Sequence, residues 1–101
     1  MQNVRLISAE DKLVIALYGE IDSAVSDDFY QQVTAIYNHD KKDIEFDCSA
    51  LSFIDSTTLR TFVKIFKHLK QDGHTFALRH VQQRIKKLFQ ICALDTIMEI
   101  D

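Results

Sequence analysis

Apolar residues in this chain recur with two different periods in alternation, and that alternation limits the fold more than any other feature. Leu13-Val14-Ile15-Ala16-Leu17-Tyr18 is apolar at every position, the pattern of a strand covered on both faces. Gly19 reads as its end. Val25, Phe29, Val33, Ile36 and Tyr37 follow in steps of four, four, three and one, a single stripe along a helix. Ile44, Phe46 and Cys48 then alternate with Glu45 and Asp47, which is strand spacing with one buried face. Leu59, Phe62, Val63, Phe66 and Leu69 return to the helical period. Phe76 and Leu78 mark a strand within 74–80, and Val81, Ile85, Leu88, Phe89 and Cys92 a third helix. Val4 to Ser8 reads as a first, edge strand; the tail Ile97-Met98-Glu99-Ile100 is too short to assign.

Strands alternating with helices predict an α/β domain. The expectation is a mixed sheet of about four to five strands with three or more helices, the all-apolar strand central and the Leu59/Phe62/Val63/Phe66 stripe packed on it. Polar punctuation fits: Asp22 or Ser23 is placed to cap the first helix and Asp55-Ser56 the second, while Gly73 stands where the second helix needs a C-terminal cap. With 101 residues, no proline, no linker and no internal repeat, residues 1–101 are expected to form one domain.

The same features exclude several classes of function. The net charge is −3, which lacks the basic footprint that phosphate backbones demand, so nucleic acid is not expected as a partner. Lys64, Lys67 and Lys70, and Arg84, Lys86 and Lys87, read as solvated helix faces. No apolar run approaches the roughly 20 residues of a membrane-spanning helix. The segment Met1-Gln2-Asn3-Val4-Arg5 has no charged region leading into an apolar stretch, so a cytoplasmic protein is expected. Cys48 and Cys92 lie far apart and read as two reduced, buried thiols. His39, His68, His74 and His80 have no partners at metal-ligand spacing. Two glycines, Gly19 and Gly73, cannot build a glycine-rich phosphate loop. No serine sits in a nucleophile elbow. Neither a metal, a cofactor nor a catalytic group is expected.

The segment Phe53-Ile54-Asp55-Ser56-Thr57-Thr58-Leu59 holds the most information. A serine at a helix start is most often a cap. A phosphate there would also be well placed, against free backbone N–H groups and the positive end of the helix dipole.

Leu51-Ser52-Phe53-Ile54-Asp55-Ser56 resembles the phosphorylation-site segment of bacterial STAS-domain anti-sigma factor antagonists, written L-x-x-[IM]-D-S-x-G. Leu17-Tyr18-Gly19-Glu20-Ile21-Asp22 resembles that family's L-x-G-x-[IL]-D segment, which brings an aspartate next to the serine. Ile85-Lys86-Lys87-Leu88-Phe89, followed by Ala93-Leu94, is similar to its C-terminal helix.

The resemblance implies a partner switch. The unphosphorylated protein, a monomer when free, would bind a serine kinase that is also an anti-sigma factor. Phosphorylation of Ser56 would end that binding, and a serine phosphatase would reset it. Partner contacts would come from Asp22, Asp55, Ser56, Thr57, Thr58 and Arg60. The output would be transcription or another process, such as exopolysaccharide and biofilm production. The chain departs from the family at Thr58 and Arg60, where small residues are usual, and these two are expected to reshape the contact surface. Two other readings stand beside this one. In the first, the chain is a STAS scaffold in a larger signalling complex and Ser56 is only a helix cap; in the second, weaker one, it is an enzyme or lipid-binding protein on the same core.

Overall fold

A computed structural model describes residues 3–101; Met1 and Gln2, the start of the N-terminal stretch, lie outside the described residues. In chain order the elements are β1 (Val4–Ser8), β2 (Leu13–Ile21), α1 (Ser26–His39), β3 (Ile44–Ile54), α2 (Ser56–Lys70), β4 (Phe76–Arg79), α3 (Gln83–Ile91), a 3-10 turn (Leu94–Thr96) and β5 (Glu99–Ile100). They form one α/β domain with a five-stranded sheet in the order β1-β2-β3-β4-β5. The β1–β2 pair is antiparallel and every later pair is parallel. The sheet is therefore mixed, as expected. β2 is an interior strand, although β3 holds the middle place.

The strand order explains where the core lies. Each parallel step moves one place in the same direction, and crossovers of one hand then put their helices on one face of the sheet. Phe62 of α2 ties that layer together. Its ring centroid lies 5.2 Å from Phe29 of α1 and 5.5 Å from Phe89 of α3. It also lies 5.6 Å from Phe46 of β3 and 6.1 Å from Phe76 of β4. In register across the sheet, Leu13, Ile44 and Phe76 make one inward row and Ile15, Phe46 and Leu78 the next. All six are buried.

β2 is not covered on both faces. Its outward residues Val14 and Ala16 stand in rows with Glu45 and Ala77 and with Asp47 and Arg79. On this face Lys12 pairs with Glu45 at 2.8 Å, and Arg79 reaches Glu45 at 3.6 Å and Asp101 at 3.4 Å. Three helices on one side leave none for the other, so neighbouring strands give Ala16 its cover.

Several boundaries move for local reasons. Gly19 does not end β2; it sits inside the strand at φ +68°, beside a shift in the β2–β3 register. Gly73, at φ +78°, does terminate α2. The His74 N–H reaches the Leu69 carbonyl and the Gly73 N–H the Lys70 carbonyl, both at 3.0 Å, which is the paired bonding of a Schellman end. Cys48 is buried, and burial chiefly, with the charge of Asp47, pushes its thiol up to about 12. Cys92 is exposed rather than buried. α3 stops at Ile91, and Ala93 turns left-handed at φ 57°, so the stripe that predicts an inward Cys92 ends one residue too soon.

Candidate functional site

The carboxyl ends of the parallel strands β2 and β3 deliver Asp22 and Asp55 to one end of the sheet, the position where open parallel sheets present their sites. Asp55 is the N-cap of α2. Its extended backbone (φ −120°, ψ −175°) leaves the side chain free to fold over the first turn. There Oδ1 accepts the Thr58 N–H at 3.0 Å, and Oδ2 accepts the Ser23 N–H at 2.8 Å. These bonds, the Thr58 N–H foremost and helped by Ser23 and Thr57, hold the carboxyl below its ordinary range against the opposing effect of burial.

Asp55 therefore performs the capping that the Asp55-Ser56 pair allows, and Ser56 is the first residue of the helix proper. Ser56 is exposed, and its hydroxyl has no part in the cap. It lines an apolar-walled groove of about 270 Å³ with Leu59, Arg60, Val63, Cys92 and Leu94. Arg60 is likewise exposed.

Thr58 is expected on the contact surface and is instead fully buried, 0% exposed. Its hydroxyl lies within bonding distance of the Ile21 carbonyl, of Asp55 Oδ1 at 3.0 Å and of Ser26 Oγ at 3.2 Å. The Ser26 hydroxyl donates onward to the Asp22 carbonyl at 2.7 Å. Thr58 thus staples the start of α2 to the end of β2. Position 58 of this chain carries an internal hydroxyl.

Asp22 does not cap α1, which begins at Ser26 with Val25 in the cap position. Its Oδ1 instead accepts the Ala24 N–H at 3.0 Å, an aspartate turn that reverses the chain after β2. Its side chain faces a separate cleft, lined also by Asn3, Gly19, Glu20, Val25 and Ser52. Thr57 is half-buried, and its carbonyl accepts the Thr61 hydroxyl at 3.0 Å. Of the six expected contact residues, Ser56 and Arg60 meet in one groove, Asp22 lies across the Asp55–Ser23 bond from them, and Thr58 is interior.

Sequence reasoning does not find Ser26, 2% exposed, because one serine beside two aspartates looks like surface. Nor does it find Leu94 as a groove wall, since the turn that carries it follows the last periodic helix. Nor does it find Phe53, 45% exposed just before the cap, which lies beyond the Ile44/Phe46/Cys48 alternation.

The STAS domain family model matches residues 3–101. The anti-sigma-B factor antagonist of Listeria monocytogenes is 30% identical over 90 residues, covering 89% of this chain and 79% of that protein. The Bacillus subtilis protein of the same name is 28% identical over 98 residues, covering 97% and 89%. Among solved structures, the Bacillus cell fate determinant SpoIIAA in its phosphorylated form superposes with a TM-score of 0.72 at 23% identity, over 97% of this chain and 90% of that one. A family match across all the described residues, together with relatives aligned over most of their length, places the chain in the STAS-domain family, the family of the anti-sigma factor antagonists.

Proposed function

We propose that the chain is a phosphorylation-gated binding protein of the partner-switching kind, with Ser56 as the modified residue. The observation that carries this reading is the division of labour at the start of α2: Asp55 makes the cap, which leaves the Ser56 hydroxyl exposed and uncommitted. The same division of labour favours this reading over the one in which Ser56 is only a helix cap. A further support is that named relatives antagonise anti-sigma factors.

The proposed partner is an anti-sigma-type serine kinase. In the transfer, a bond forms between Ser56 Oγ and the γ-phosphorus of ATP as the bridge to the β-phosphate breaks. ADP leaves, and the hydroxyl proton passes to a base of the kinase. A serine phosphatase reverses the modification with water: inorganic phosphate leaves and Oγ regains its proton. The reacting groups other than the hydroxyl belong to the partners, so the chain acts as substrate and ligand, within the cytoplasm. Phosphate brings about −1.5 to −2 charge to a surface that must be desolvated on binding. An uncompensated charge buried in an interface costs several kcal/mol, enough to weaken binding by orders of magnitude.

The test is binding to the cognate kinase with phosphosite mapping by mass spectrometry. Ser56→Ala should bind whether or not ATP is present, and Ser56→Asp should bind at least tenfold more weakly than wild type. Tight binding by a folded Ser56→Asp chain, with no label on Ser56 after incubation with kinase and ATP, sinks the proposal.

A further inference from the structure

The inference that follows deepens the reading of Ser56 as the phosphorylated residue, and rests on it. Ser56 and Arg60 line the same groove and stand four residues apart on α2. Residues at that spacing lie one above the other, with Cβ atoms about 5–6 Å apart. Helical side chains also lean toward the N-terminus, so the stem of Arg60 leads back over the turn that carries Ser56.

Arg60 has no competing ion-pair partner among the described residues: no carboxylate lies within ion-pair distance of it. α2, whose sequence is STTLRTFVKIFKHLK, contains no acidic residue. The nearest carboxylate along the chain, Asp55, already has Oδ1 on the Thr58 N–H and Oδ2 on the Ser23 N–H. Leu59, Val63 and Leu94 wall the groove, and apolar walls lower the local dielectric and strengthen attraction between charges.

We propose that Arg60 binds the phosphoryl group of phosphorylated Ser56 within the same chain, two guanidinium N–H groups forking onto two phosphate oxygens. Phosphorylation then makes two changes to the partner-facing surface at once. It adds an anion at Ser56 and withdraws the cation of Arg60, which the unmodified protein holds out to solvent. A small residue at position 60 would allow only the first change.

The experiment uses the full chain with phosphoserine installed at position 56 during synthesis, so no kinase is needed. The phosphate is titrated by phosphorus NMR between about pH 4 and pH 8, around its usual second pKa near 6. An adjacent guanidinium favours the dianion, so Arg60→Gln should raise the midpoint by about half a pH unit, the scale of an exposed pair. Arg60→Lys should fall between wild type and Arg60→Gln, because a point charge replaces a fork. Arg84→Gln, which removes the cation that reaches Ser52 O at 3.5 Å, should titrate like wild type. Equal midpoints for wild type and Arg60→Gln, with both chains folded by circular dichroism, overturn the proposal; so does a larger shift in Arg84→Gln. A kinase that never labels Ser56 would defeat the functional reading and leave this titration to be judged on its own.

Discussion

Asp55 and Thr58 hold the site together from opposite sides of one helical turn. The carboxylate takes the Thr58 backbone N–H at 3.0 Å, and the Thr58 hydroxyl reaches past it to the carbonyl of Ile21 at the end of β2. One contact starts α2, and the other fixes where the started helix sits on the sheet. Four measurements follow from this arrangement and from the core below it.

Asp55 should give the protein an acid-sensitive increment of stability. Its folded-state pKa lies below the ordinary value of 3.8, so the increment is whole above that value and fades as pH falls through the folded one. Asn also caps well, but it carries no charge for the helix dipole and has one acceptor oxygen where Asp55 uses two, so the Ser23 or the Thr58 N–H loses its partner. Asp55→Asn should therefore cost about 1–3 kcal/mol at pH 7, and the gap should narrow in urea melts as pH falls below 3.8 and through the folded-state value. A gap that stays constant down to acid pH would assign the effect to shape rather than charge.

Thr58→Val keeps the side-chain shape and removes the hydroxyl. The Ile21 carbonyl loses its buried donor, which should cost about 1–3 kcal/mol. Because Thr58 is 0% exposed, binding per folded molecule should match wild type. A stable variant that binds poorly would return Thr58 to the contact surface.

Phe62→Ala should be the most damaging of these changes, at about 3–5 kcal/mol. The ring meets phenylalanines from α1, β3, β4 and α3, so no single neighbour can move in to fill the space. A loss below about 1 kcal/mol, the range of surface changes, would place that face of α2 outside the core.

Ser56→Ala should leave thermal stability within about 0.5 kcal/mol of wild type, since Asp55 supplies the cap. Ser56→Asp should be neutral or slightly stabilising, because an acidic group suits a helix N-terminus. Melting curves decide the matter. A loss near 1 kcal/mol in Ser56→Ala, the usual value of a lost cap, would mean that the hydroxyl bonds to the helix after all.

The fold was legible because apolar spacing reports element type directly, and each of the three helices buries a phenylalanine of its stripe. Ends were less legible. Asp22 and Asp55 look alike in sequence, each an aspartate followed by serine. Only Asp55 has extended backbone leading straight into a helix; after Asp22 the chain makes a turn before α1 begins. The direction in which Thr58 points depends on the packing of α2 against β2, residues thirty-seven apart in sequence. Periodicity also could not show that β2 has one covered face, because that follows from the sense of all the crossovers together. β5 was too short to carry a pattern: its Glu99–Ile100 pairing with Ala77 and Leu78 is made by backbone.

The sheet order β1-β2-β3-β4-β5 also bears on how the chain can be made. Every strand after the first docks beside the one synthesised before it, and no strand has to be inserted between two that are already paired. On a ribosome the sheet can therefore grow outward in the direction of translation, its newest strand always forming the open edge. An open edge invites pairing with other chains, and here β4 carries that exposure until residues 99–100 pair with it. Glu99 and Ile100 then cover it, and the Asp101 N–H fastens to the Leu78 carbonyl at 2.9 Å. A chain in which residues 99–101 come loose from β4 would expose that sticky edge again, so loosening this one short strand carries an aggregation hazard.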